Sequence, residues 1–204
     1  DVVVVPTITF LATANAARYV GADVVFADVD PDTGLMRPSD LERALERSGG
    51  RAKAVFPVHL AGQCADMAGI SKIARKHNLA IVEDASHALG TIYRKGNVDC
   101  LVGSCADSDM VVFSFHPVKT IAMGEGGAIM TNDSACAKRL ARLRSHGMER
   151  NGAAFVNEDM AFTQNGDANP WYYEMQELGF NFRASDIHCA LGLSQLNKLE
   201  RFVE

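Results

Sequence analysis

Residues 52–84, AKAVFPVHLAGQCADMAGISKIARKHNLAIVED, read as one strand–helix–strand unit. The run 52–56 is short and apolar, and Pro57 closes it, as a residue without an N–H closes a strand. Met67, Ile70, Ile73 and Ala74 recur at helical spacing. Arg75, Lys76 and His77 then supply the basic last turn that suits a helix dipole. The run 80–82 is the next strand, and Glu83-Asp84 stands at its end. Apolar runs this short, joined through a helix, are parallel strands covered on both faces.

The same alternation continues outward. Upstream lie a strand at 2–5, a helix at 10–19 ended by Gly21, and a strand at 24–27. A helix opens at Pro38, where Ser39 with Glu42 three later predicts a capping box, and Gly49-Gly50 closes that unit. Downstream lie strands at 110–113 and 128–130, a helix at 134–144 capped by Asp133, and one helix over 186–203. Residues 149–176 break the pattern. They are polar and aromatic, end in Trp171-Tyr172-Tyr173, and suggest a functional or interface segment. The expected fold is α/β in three layers, a mostly parallel sheet with helices on both faces.

Composition narrows the function. The chain has 204 residues, 48% apolar and 22% charged, with 20 basic and 25 acidic residues and a net charge of −5. No long run carries one sign, which argues against a nucleic-acid binder. No apolar stretch nears the roughly 20 residues of a membrane helix, and no secretory leader is visible at the start. Five irregularly spaced cysteines give no disulfide framework, so a reducing cytoplasm is the expected setting. Cys100 and Cys105 lack a CxxC partner pair, and no metal site is expected. Asp1 leads straight into an apolar strand, and Glu204 stops within a helical pattern. Both ends read as cut, so a fragment is expected.

In open α/β sheets the active site lies at the carboxyl ends of the strands. His59, Glu83-Asp84, and Ser114 with His116 all follow strands. Lys119 precedes the turn Gly124-Glu125-Gly126-Gly127. A lysine in a partly dry loop can form a Schiff base, and a carboxylate can hold a protonated ring nitrogen. Pyridoxal 5'-phosphate (PLP) needs these two groups. His87 offers a flat ring to stack, Ser114 a hydroxyl for a phosphate, and the glycines a close backbone approach. Each has a plainer reading: Asp84 as a helix cap, His87 as a core histidine, the glycines as a tight turn. A Ser114–His116 hydrolase lacks the G-x-S-x-G elbow. A Rossmann oxidoreductase lacks G-x-G-x-x-G after the first strand.

These residues make the chain resemble the DegT/StrS family of nucleotide-sugar aminotransferases, of fold-type-I PLP architecture. The likeness runs through 6–13, Pro57-Val58-His59-Leu60-Ala61-Gly62, Glu83-Asp84-Ala85, Phe113-Ser114-Phe115-His116, Lys119 and 124–127. It continues through His146-Gly147 and Gly179-Phe180-Asn181-Phe182-Arg183. The resemblance implies that Lys119 holds the cofactor aldehyde and shuttles a proton. It implies that Asp84 pairs with the ring nitrogen, His87 stacks on the ring and Ser114 binds the phosphate. Asn181 or Arg183 would reach a neighbouring subunit's cofactor phosphate, in a homodimer with shared sites. Phe10, Thr13 and His59 would lie near the cofactor or sugar.

Segments 116–121, 171–179 and 186–192 resemble the branch that serves pseudaminic acid biosynthesis. It moves an amino group from L-glutamate to the C4 ketone of a UDP-linked 4-keto-6-deoxy amino sugar. Sugar 3-dehydratases look similar but carry His where this chain has Lys119. A truncated, non-catalytic relative is a further reading. Residues 1–204 would be a partial large domain, truncated at both ends. The N-terminal phosphate cup and the small C-terminal domain would be absent, so the fragment alone is expected to hold PLP weakly.

Overall fold

A computed structural model describes residues 1–157 and 159–204. In chain order the elements are β1 (Val2–Pro6), α1 (Leu11–Tyr19), β2 (Asp23–Ala27), α2 (Pro38–Arg47), β3 (Ala52–Val55), α3 (Met67–Lys76) and β4 (Ala80–Asp84). There follow β5 (Ile92–Lys95), β6 (Val98–Leu101), β7 (Met110–Ser114), β8 (Gly127–Met130) and α4 (Ser134–Leu143). The last are β9 (Met148–Glu149), β10 (Glu174–Met175), α5 (Asp186–Leu196) and α6 (Leu199–Val203). The chain forms two compact units, one of 1–132 with 186–204 and one of 133–185.

The first unit is built on a six-stranded sheet in the order β2-β1-β3-β4-β7-β8. All its pairings are parallel except β7 with β8. Alternation along β1 shows why it has no polar face. Val4 joins Leu41, Leu45, Met67, Ile70 and Ile81 in a core under α2 and α3. Val3 and Val5 join Ala17 of α1 in a second core. Helices therefore cover both faces, and all five residues of β1 are buried. The α/β expectation holds.

Two local expectations need correction. Ser39 does not cap α2. Pro38 occupies the first helical turn, so the cap falls on Arg37, and Asp40 reaches back to the Arg37 N–H at 3.0 Å. The helix expected over 186–203 is broken between α5 and α6. An antiparallel hairpin of β5 and β6 was not foreseen, and it turns at Gly96, whose φ is 61°. Among the described residues no helix is long and apolar enough to cross a membrane.

The second unit holds α4, which Asp133 caps as expected by accepting from the Ala135 and Cys136 N–H groups. β9 and β10 pair antiparallel, and between them the segment is largely irregular.

Candidate active site

The register of β4 against β7 builds the site. Asp84 sits opposite Val112 in a parallel pair. Paired residues of parallel strands share a face, and so does the residue two further on. Ser114 therefore lies on the same face as Asp84, one strand away, at the carboxyl end of the sheet. Thr13 of α1 marks that face, because its hydroxyl donates to Asp84 Oδ2 at 2.6 Å. The Ser86 N–H donates to Asp84 Oδ1 at 3.1 Å.

Ser114 Oγ accepts from the His116 backbone N–H at 3.3 Å, which leaves the hydroxyl proton free to donate. No bond from the His116 ring to Ser114 occurs among the described residues, so the hydrolase reading lacks its catalytic pair. Lys119 follows in the loop before β8, its N–H bonded to the His116 carbonyl at 2.9 Å. Its side chain is half-buried, and no hydrogen bond or ion pair ties down its amine among the described residues. The loop is shaped by close approach. A Cβ at Gly127 would stand 2.6 Å from the Phe113 carbonyl, and one at Gly124 3.1 Å from the His188 ring.

His87 is exposed, and its Nδ1 accepts from the Ala61 N–H at 3.3 Å, which fixes one edge of the ring. Phe10 is 71% exposed at the start of α1, and Thr13 is buried. His59 lies in the core. It is fully buried, with Nε2 on Glu83 Oε2 at 2.6 Å. Its ring is packed in the core against Glu83. The sequence marks Glu83 as a strand-end acid but does not show its pairing with His59, 24 residues away in the chain.

Asn181 and Arg183 belong to the second unit. The Arg183 N–H donates to Asn181 Oδ1 at 3.4 Å. Arg183 lines a cleft with Lys138, Arg142, Arg150 and Asn151. Burial first, and then the Glu83 carboxylate, push the Cys64 thiol up to about 12, so it is no nucleophile at neutral pH. No cluster of His, Cys, Asp or Glu able to hold a metal occurs among the described residues.

The profile of the DegT/DnrJ/EryC1/StrS aminotransferase family matches residues 1–204. The chain belongs to this family. It is 38% identical over 200 residues to the spore coat polysaccharide biosynthesis protein SpsC of Bacillus subtilis, covering 98% of this chain and 47% of that protein. It is 38% identical over 203 residues to a UDP-4-amino-4,6-dideoxy-N-acetyl-beta-L-altrosamine transaminase of Campylobacter jejuni, covering 100% of this chain and 48% of that enzyme. Among solved structures, Helicobacter pylori PseC, an aminotransferase of pseudaminic acid biosynthesis, superimposes with a TM-score of 0.79 at 32% identity. That match covers 98% of this chain and 47% of PseC. The chain thus spans about half the length of the curated relatives it matches.

Proposed function

We propose that this chain is the partial large domain of a PLP-dependent aminotransferase. Its reaction moves an amino group from L-glutamate to the C4 ketone of a UDP-linked 4-keto-6-deoxy amino sugar. The observation that carries the reading is the shared face of Asp84 and Ser114 at adjacent strand ends, with Lys119 five residues beyond Ser114.

The residues fit the cofactor. Each Asp84 oxygen accepts one hydrogen bond and keeps acceptor capacity for a ring N–H. The free Ser114 proton suits a phosphate oxygen. The untethered Lys119 amine suits an aldehyde. When bound, PLP supplies a carbonyl that carries the amino group and a ring that takes up carbanion charge.

The chain's own groups do the rest. Asp84 holds the proton on the ring nitrogen. Thr13 and Ser86 keep its carboxylate turned toward that nitrogen. His87 covers the ring. The Lys119 amine would take and return the proton at the substrate carbon. Asn181 or Arg183 reaches the phosphate of a partner subunit's cofactor in a homodimer. Five irregularly spaced cysteines suit a cytoplasmic setting.

A second reading keeps the reaction and changes the sugar. It is favoured by the 38% identity shared equally with SpsC and the Campylobacter enzyme. Pocket contacts decide such choices, and a few side chains suffice to switch them.

The test adds PLP to the purified full-length protein and records the visible spectrum, with Lys119→Ala as control. A borohydride-trappable band absent from Lys119→Ala supports the assignment. No band in the unaltered protein sinks it. Release of 2-oxoglutarate from glutamate, dependent on a UDP-linked rather than a GDP- or dTDP-linked keto sugar, separates the two readings.

A further inference from the structure

Behind Asp84, on the opposite face of β4, lies a buried polar pair that the proposed reaction does not use. Glu83 is 2% exposed and His59 is 0% exposed. His59 Nδ1 accepts the Ala65 N–H at 3.2 Å, so that nitrogen carries no hydrogen. The single ring N–H therefore sits on Nε2 and donates to Glu83 Oε2 at 2.6 Å. Burying an acid and an imidazole in an apolar core is costly unless their bonds are made. Two residues earlier on the same face the chain uses Ile81, so an apolar side chain would have served packing alone.

The backbone shows what the pair holds. The β3 ladder reaches β4 only as far as Val55 opposite Ile81. Beyond that point the end of β4 is gripped by the following segment. The Asp84 N–H donates to the Pro57 carbonyl at 2.8 Å, and the His59 N–H donates to the Asp84 carbonyl at 3.0 Å. His59 thus grips β4 twice, through its main chain at Asp84 and through its ring at Glu83.

We propose that His59 and Glu83 are positioning residues for Asp84, locking the end of β4 so that the Asp84 carboxylate keeps its aim. This rests on the reading of Asp84 as the partner of the PLP ring nitrogen. Supporting side chains behind a ligand-holding group are worth about ten- to a hundredfold in affinity at metal centres, and the same logic of a fixed supporting shell applies here.

The test titrates PLP into the full-length protein and into His59→Leu, Glu83→Leu, Glu83→Gln and Asp84→Asn, each checked first for a cooperative melt. His59→Leu and Glu83→Leu are expected to weaken PLP by at least about tenfold. They are also expected to move the bound cofactor's visible band toward that of Asp84→Asn. Glu83→Gln introduces an amide oxygen that still accepts from His59 Nε2. It should stay within about threefold of the parent and keep the parent spectrum. A folded His59→Leu with parental affinity and spectrum overturns the proposal. If the leucine variants fail to fold, Glu83→Gln decides: a tenfold loss or an altered band overturns the proposal, and a parental result supports it. Absence of PLP binding by the unaltered protein sinks the cofactor reading itself, and this inference with it.

Discussion

The Thr13 hydroxyl donates to Asp84 Oδ2 across 2.6 Å, joining positions 71 residues apart in the chain. Thr13 has one hydroxyl proton, and Asp84 receives it. The 2.8 Å contact between the Thr9 and Thr13 oxygens must therefore run with Thr9 as donor. Two hydroxyls in line end on one carboxylate, each polarising the next. The helix that carries Thr13 is thereby tied to the strand end that carries Asp84.

Thr13→Val keeps the side-chain volume and removes the donor. A half-buried carboxylate oxygen then loses its partner, at a cost of about 1.5–3 kcal/mol. The urea midpoint should fall with the slope unchanged. Thr9→Val leaves the Thr13–Asp84 bond in place, and its cost should stay below about 1 kcal/mol. Equal midpoints for Thr13→Val and the parent would show that the hydroxyl line contributes nothing.

Ser114→Ala should separate phosphate binding from ring binding. A hydrogen bond to a charged group contributes about 1.5–3 kcal/mol, or roughly ten- to a hundredfold in affinity. The loss should appear with PLP and not with pyridoxal, which has no phosphate. Calorimetric titration of both compounds into the full-length protein checks this. A parallel loss for pyridoxal would move Ser114 away from the phosphate.

The strand–helix alternation was legible because a strand buried on both faces is a continuous apolar run, as in β1. Local chemistry that competes with periodicity was less so. Pro38 displaced the α2 cap by two residues from Ser39 to Arg37, and the apolar spacing that continues through Leu196 and Leu199 hid the break between α5 and α6. The β5–β6 hairpin carried a turn signal at Gly96-Asn97, but Arg94 and Lys95 masked its strands. At the site, the order of Asp84, Ser114 and Lys119 along the chain was readable. The burial of His59 was not, because its partner Glu83 lies 24 residues away and only the folded sheet brings them together.

Asp40 gives the protein an acid-sensitive contribution to stability. Its buried carboxyl is held below the ordinary aspartate value of 3.8, chiefly by the hydrogen bond from the Arg37 guanidinium, with further support from the Arg37 N–H and the Arg43 charge. A depressed folded value means that the unfolded chain takes up the proton first as pH falls. The contribution is full above 3.8 and is lost as pH drops through the folded value. Asp40→Asn should therefore destabilise at neutral pH, with the gap to the parent closing below 3.8. Urea midpoints across pH test this, and a gap that stays constant into acid would refute it.

Gly147 and Gly166 offer a controlled comparison within the second unit. Both have positive φ, 70° and 86°, so alanine at either position incurs the left-handed backbone penalty of about 1 kcal/mol. Their surroundings differ. A Cβ at Gly166 meets nothing within 4 Å, whereas one at Gly147 would stand inside the van der Waals shell of the Glu177 carbonyl. Gly147 cannot yield easily, because its N–H donates to the Arg142 carbonyl at 2.9 Å and its carbonyl accepts the Gln176 N–H at 3.0 Å. The neighbouring His146 is also left-handed, at φ 62°, and its N–H donates to the Phe180 carbonyl at 2.8 Å. Gly166→Ala should cost about 1 kcal/mol. Gly147→Ala should exceed about 3 kcal/mol, in the range reserved for strain at special backbone positions. Hydrogen exchange should lose protection across 133–185 in Gly147→Ala while β1, β3 and β4 keep theirs. Equal costs at the two positions would mean that close backbone approach is not what requires glycine at 147.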